Sequence, residues 1–90
     1  MEYFGIDLWL APALNIHRNI FGGRNFEYFS EDPYLSGMTA AAITRGVKKV
    51  KGRGVTIKHF VANNQELNRN NNNSQMSQRA LREIYLKDFE

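Results

Sequence analysis

An α/β fold of about two strand–loop–helix units is what the sequence predicts, on three observations. Short apolar runs alternate with stretches of helical periodicity. Each apolar run opens into a long polar loop rather than a hairpin turn. The resulting order is strand, loop, helix, strand, loop, helix, which implies parallel strands joined by right-handed crossovers.

The elements follow in order. Glu2-Tyr3-Phe4-Gly5 reads as the last turn of a helix closed by glycine. Ile6 to Leu14 (IDLWLAPAL) is too short for a stable lone helix and fits a buried strand with Pro12 near its far end. Asn15 to Asp32 has little periodicity and forms the first long loop, where Gly22-Gly23 marks a tight turn or a close backbone approach. Asp32-Pro33 opens a helix, aspartate as cap and proline at the first helical position. Ala40, Ile43, Val47 and Val50 recur at helical spacing, so this helix is expected from Pro33 to about Val50, with Gly52 and Gly54 ending it. Val55 to Val61 is the second buried strand. Ala62 to Ser74, with the asparagine run Asn70 to Asn73, is a long loop within the domain rather than a linker. From Ser77 the pattern is helical again, with Leu81, Ile84, Tyr85 and Phe89 on one side.

Two strands alone leave sheet faces and edges uncovered. Both ends also look cut, so the chain is expected to be a piece of a larger α/β protein. Ninety residues make one small domain at most. Cysteine is absent, which excludes a disulfide framework and a thiolate metal site. The net charge of +3 has its main local source in Arg45, Lys48, Lys49, Lys51 and Arg53. That run sits at the predicted helix end, where cations complement the dipole, and no aromatic residues interleave to stack bases. Nucleic acid is therefore not an expected partner. No stretch approaches a membrane span, so membrane association is not expected; localisation stays open, with the missing signal-peptide order and the absence of cysteine favouring the cytoplasm.

Several chemistries have no local support. There is no glycine-rich phosphate loop, no G-x-S-x-G elbow and no H-E-x-x-H pair for His17 or His59, so no metal and no cofactor are expected. What the loops do carry is two polar sets at predicted strand ends: Asn15, His17, Arg18 and Arg24, then Lys58, His59, Asn63, Asn64 and Glu66. Arginine and lysine donate to hydroxyls while asparagine and glutamate chelate hydroxyl pairs, so these sets suit a sugar pocket. They equally suit a structural network, with Arg24 paired to Glu27 or Glu31. His17 and Arg18 lean towards structure, and Phe26, Tyr28 and Phe29 towards loop packing.

The stretches LAPALNIHRNIFGGRNFEYFSEDPYLSG (Leu10 to Gly37) and TIKHFVANNQELNR (Thr56 to Arg69) resemble two signature segments of the family 3 glycoside hydrolases. SQRALREIYLKDFE (Ser77 to Glu90) is similar to the helix that follows them, so the resemblance covers nearly the whole chain. It implies a fragment, residues 1–90, of the family's N-terminal domain: a partial TIM-like (β/α)8 barrel. The implied activity is that of a retaining, exo-acting β-glucosidase, with a β-glucoside or oligosaccharide as substrate. Arg24, Lys58 and His59 would hold the sugar in the −1 subsite. Asn15, Arg18, Asn63, Asn64 and Glu66 would shape the pocket wall or support these groups. The remainder of the barrel and a second α/β domain would complete the site.

The departures are informative. Retaining hydrolysis needs two carboxylates about 5–5.5 Å apart, and the resemblance places the nucleophile and the acid/base beyond Glu90. No catalytic residue is therefore assigned, and the chain alone is expected to be inactive. Lys58-His59-Phe60-Val61-Ala62-Asn63-Asn64 also differs from the K-H-F-P-G-H-G of the β-N-acetylglucosaminidase branch, which favours the glucosidase/xylosidase branch. The alternative reading is a catalytically inactive truncated product acting only as a carbohydrate-binding or interaction fragment.

Overall fold

The structure, a computed structural model, describes all 90 residues, Met1–Glu90. It is organised around one parallel strand pair, in which β1 (Leu8–Trp9) lies beside β2 (Gly54–Val55) with Leu8 opposite Gly54 and Trp9 opposite Val55. The parallel pairing across a helical connection is the arrangement expected from the alternating order. Ahead of β1, Glu2–Phe4 forms a single 3₁₀ turn closed by Gly5 in the left-handed region at φ 64°.

Both strands are shorter than the apolar runs suggest, and the ladder explains why. Gly54 N donates to Asp7 O at 2.9 Å and Thr56 N to Trp9 O at 2.8 Å. Pairing resumes further on, where Lys58 N donates to Pro12 O at 3.0 Å and Leu14 N to Lys58 O at 2.8 Å, bridging Ala13 and Lys58. Between the Trp9–Val55 and Ala13–Lys58 pairs the first chain segment advances four residues and the second three. One extra residue within Leu10–Pro12 thus interrupts the ladder as a bulge does, and Pro12 has no N–H to contribute. The peptide bonds Ala11–Pro12, Lys58–His59 and Phe60–Val61 are cis.

Burial corrects the expectation of two buried strands: no residue of Val55 to Val61 is buried, with Ile57 40% and Phe60 75% exposed, and the first run is buried only in part. Leu8, Trp9 and Leu10 are 57, 43 and 65% exposed, whereas Pro12 to Ile16 are buried. A lone strand pair has no neighbours to cover its first half; the segment after the bulge is covered by the helices.

α1 (Pro33–Val47) starts as expected, the Asp32 carboxylate accepting from Tyr34 N at 2.9 Å. It ends three residues early. Lys49 N bonds Gly46 O at 3.3 Å and Val50 N bonds Val47 O at 3.2 Å, so the chain tightens into turns that close at Gly52, φ 80°. Lys48, Lys49 and Lys51 are solvated there, while Arg53 forms an ion pair with Asp7. α2 (Gln78–Ala80) is capped by Ser77 Oγ, which accepts from Ala80 N at 3.1 Å. The expected helix continues in a different form, first a π turn at Leu81–Tyr85 and then a 3₁₀ turn at Lys87–Phe89. Leu86 N donates five residues back to Leu81 O at 2.8 Å.

This wide turn places Tyr85 in the main core cluster with Ile16 and Ala62, flanked by Val61, Met76, Ala80, Leu81 and Ile84. One turn later Asp88 is buried against α1, where Gly37 has no side chain to obstruct it. A Cβ on Gly37 would stand 3.0 Å from the Asp88 carbonyl oxygen. Only 11 of the 90 residues are buried, and Tyr3, Phe4, Phe21, Phe26, Phe60 and Leu67 are each at least 75% exposed. The chain's own elements therefore leave the strand pair itself uncovered and large apolar side chains open.

Candidate functional site

The two long loops leave the same end of the strand pair and converge. Gly22 and Gly23 explain how. Gly22 sits in a turn in which Gly22 N donates to Asn19 O at 2.9 Å, and a Cβ there would stand 2.6 Å from Asn25 Oδ1. At Gly23 a Cβ would be 3.1 Å from Glu66 Cβ, so this glycine lets the first loop close onto the second. A groove of about 340 Å³ runs between them, lined by Asn19, Phe21, Gly23, Asn64, Gln65, Glu66 and Leu67.

Glu27 ties the principal cations together. One carboxylate oxygen accepts from Arg24 Nε, and the other lies 3.1 Å from Lys58 Nζ. Burial alone would raise the Glu27 pKa, but the hydrogen bonds and charges of Arg24 and Lys58 outweigh it and hold the carboxyl below its ordinary 4.5. The side chains of Arg24, Glu27 and Lys58 are 24, 18 and 26% exposed, so the cluster is largely sheltered yet open at its tips.

His59 is held from behind. Asn15 Nδ2 donates to His59 O at 2.8 Å, and His59 N donates to Asn15 Oδ1 at 2.7 Å. The imidazole Nδ1 lies 3.2 Å from that same Oδ1 and 3.0 Å from Tyr28 Oη. Asn63 Nδ2 donates both to Tyr28 Oη at 2.9 Å and to Glu66 Oε1 at 2.8 Å, and Arg69 reaches the other Glu66 oxygen at 3.3 Å. Burial, then the charge of Arg24, pull the His59 pKa below 6.5; Lys58 acts in the same direction, with Glu27 and Glu66 opposing. Burial raises the Tyr28 hydroxyl above 10, and the Asn63 hydrogen bond followed by Arg69 and Arg24 holds Glu66 below 4.5.

Of the residues singled out in the sequence, Arg24, Lys58 and His59 lie together, with Asn15, Asn63 and Glu66 bracing them. Asn64 turns away to Tyr85, donating to its hydroxyl at 3.3 Å, and leaves its own Oδ1 buried without a partner. Arg18 is exposed and its side chain makes no hydrogen bond or ion pair. His17 is structural, its Nε2 lying 3.0 and 3.1 Å from the carbonyl oxygens of Asn25 and Tyr28. Two residues carry more than the sequence reading gave them. Glu27, read only as one possible partner of Arg24, also binds Lys58. Tyr28, read as loop packing, is 7% exposed with its hydroxyl inside the polar network. A buried tyrosine hydroxyl needs a partner, and that rule was the available signal.

Chemically, the cluster offers donors from two cations and an imidazole edge beside them within one sheltered patch. Its two carboxylates are engaged and held ionised, so neither serves as a proton donor at neutral pH.

Comparison with known proteins agrees with the motifs. The family model described as "Glycosyl hydrolase family 3 N terminal domain" matches residues 1–90. A β-glucosidase of Ruminococcus albus is 60% identical over 85 residues, 94% of this chain and 9% of that protein. An exo-α-(1→6)-L-arabinopyranosidase of Bifidobacterium longum is 56% identical over 81 residues, 90% of this chain and 11% of that protein. Among solved structures, β-glucosidase 3B of Thermotoga neapolitana in complex with α-D-glucose superimposes with a TM-score of 0.92 at 58% identity, covering 98% of this chain and 12% of that one. The chain thus spans about a tenth of the length of these relatives. With a match over its full length and identities well above half, the chain belongs to glycosyl hydrolase family 3, within the N-terminal domain.

Proposed function

We propose that this chain supplies part of the −1 sugar-binding subsite of a retaining, exo-acting β-glucosidase. The observation that carries the reading is the gathering of Arg24 and Lys58 on Glu27, with His59 beside them in the same sheltered cluster. Such a patch presents hydrogen-bonding groups to neighbouring hydroxyls in fixed geometry, which favours a bound sugar and the bonds that tighten as the oxocarbenium-like transition state forms. The strand pair is read as two units of a TIM-like barrel, with both loops at the carboxyl ends of their strands, where barrel enzymes place their sites. The rest of the barrel and a second α/β domain would cover the exposed apolar faces and bring the nucleophile and acid/base. Relatives named both β-glucosidase and arabinopyranosidase share this segment, so the sugar preference is assigned to walls supplied by those other parts.

Titration of the chain with glucose, followed by Trp9 fluorescence or calorimetry, tests the reading. Saturable binding that is weakened at least ten-fold in Arg24→Ala and in Lys58→Ala is expected, with no turnover of an aryl β-glucoside by the chain alone. Binding unaffected by both substitutions, or no binding, would favour the inert interaction fragment instead.

A further inference from the structure

We infer that His59 is locked as the Nδ1–H tautomer and therefore recognises its ligand as a hydrogen-bond acceptor, through the lone pair of Nε2. The inference rests on the sugar-site reading above and specifies what the sugar must present there.

The lock comes from Asn15. Its amide cannot be turned round, because Nδ2 donates to His59 O at 2.8 Å and Oδ1 accepts from His59 N at 2.7 Å. The atom facing the imidazole Nδ1 at 3.2 Å is therefore a carbonyl oxygen, which only accepts. A bare Nδ1 would set two lone pairs against each other, whereas a protonated one donates. Tyr28 Oη, 3.0 Å from Nδ1, fits the same assignment. It receives the ring N–H and the Asn63 Nδ2–H, and its own proton points to Asn63 O at 3.3 Å. Every hydrogen then has an acceptor.

With the proton on Nδ1, Nε2 carries a lone pair. It has no hydrogen-bond partner in the chain and is not sealed from solvent. The neighbouring groups make that lone pair valuable. Arg24 and Lys58 only donate, and the oxygens of Glu27 and Glu66 already hold Arg24, Lys58, Asn63 and Arg69. A sugar hydroxyl that accepts from the cations needs somewhere to send its own proton, and Nε2 is an acceptor beside them with no partner in the chain. The charged groups around the ring are Arg24, Glu27, Lys58 and Glu66; burial and the two cations outweigh the two carboxylates and hold the imidazole pKa below 6.5, so the lone pair is present at neutral pH. Asn15 and Tyr28 are thus positioning residues that set the hydrogen-bonding sense of His59.

Two measurements test this on the full chain. The first is ¹⁵N-detected NMR of the histidine rings at pH 7.5. His59 should show a pyrrole-type, protonated Nδ1 and a pyridine-type Nε2; a protonated Nε2, or the averaged tautomers of a free imidazole, would overturn the proposal. The second compares glucose with its deoxy and deoxyfluoro analogues at each hydroxyl position. Fluorine accepts weakly but does not donate, so at one position the fluoro sugar should lose as much affinity as the deoxy sugar, ten-fold or more. At a pH low enough to charge His59, when Nε2–H becomes a donor, that fluoro penalty should shrink. Tolerance of fluorine at every position would overturn the acceptor role. A locked Nδ1–H form with no glucose binding would instead leave the tautomer standing and bring down the sugar-site reading.

Discussion

Lys58 Nζ and Glu27 Oε2 meet at 3.1 Å although 31 positions separate them in the chain, and this contact fastens the first loop to the end of the strand ladder. Glu27→Gln keeps the shape but sets an amide N–H₂ or a neutral carbonyl against one of the two cations. The expected result is a stability loss of about 1–2 kcal/mol, together with roughly ten-fold weaker glucose binding, equivalent to about 1.4 kcal/mol. Chemical denaturation and calorimetry read the two effects separately. Because the Glu27 pKa is depressed on folding, its stabilisation is complete above its ordinary 4.5 and is lost as pH falls through the lower folded value. The variant should accordingly show a flatter acid limb below pH 4.5.

Asp88 titrates the opposite way. It is 4% exposed, one carboxylate oxygen has no partner, and burial raises its pKa from 3.8 to about 7. A raised acid binds its proton more tightly folded than unfolded, so stability declines as pH climbs from about 4 to about 7, and the penalty is complete above that. Asp88→Asn removes the charge at nearly constant volume. It should stabilise the chain at pH 8 by on the order of 3 kcal/mol and change little at pH 4, as thermal melts at the two pH values would reveal.

The approach of Gly23 to Glu66 makes a steric prediction. Gly23→Val must displace Glu66, whose Cβ would already be 3.1 Å from the first added carbon. A loss of about 1–3 kcal/mol is expected, with the Asn63–Glu66 hydrogen bond broken. Amide NMR shifts at Asn63 and Tyr28 would register the disturbance, and unchanged shifts there would contradict the packing described.

Helix capping gives a prediction independent of any ligand. Asp32→Ala and Ser77→Ala each remove a side-chain acceptor from a helix N-terminus. Each should cost about 1 kcal/mol, and because the caps lie on separate helices the double variant should lose close to the sum in urea titrations.

Much of this was legible in the sequence because it is local. The aspartate and serine caps, the proline start of α1 and the glycine closing the first turn are decided by neighbours a few residues away. Arg24, Lys58 and His59 were singled out through extended motifs, and the fold brings them near one another. The strand lengths were not, because an apolar run does not say where its ladder is interrupted, and the one-residue offset depends on a partner some 45 positions along. The π turn was equally hidden: Leu81, Ile84 and Tyr85 suit an ordinary helix, and the wider turn is settled by the packing of Tyr85 and Asp88. Glu27 and Tyr28 escaped attention for a related reason. Their partners Lys58, His59 and Asn63 become neighbours only once the two loops close.

The offset between the Trp9–Val55 and Ala13–Lys58 pairs also sets the phase of everything downstream. Side chains alternate faces along an extended chain, so deleting one residue from Leu10–Pro12 would bring Leu14 opposite Lys58 in place of Ala13. Asn15 would then be shifted by about 3.3 Å and aimed at the other face, with an aliphatic side chain in the position that now addresses His59. A single codon in a stretch with no polar side chain thus governs the alignment of the polar cluster. Length in this short segment is a stricter requirement than the identity of its side chains.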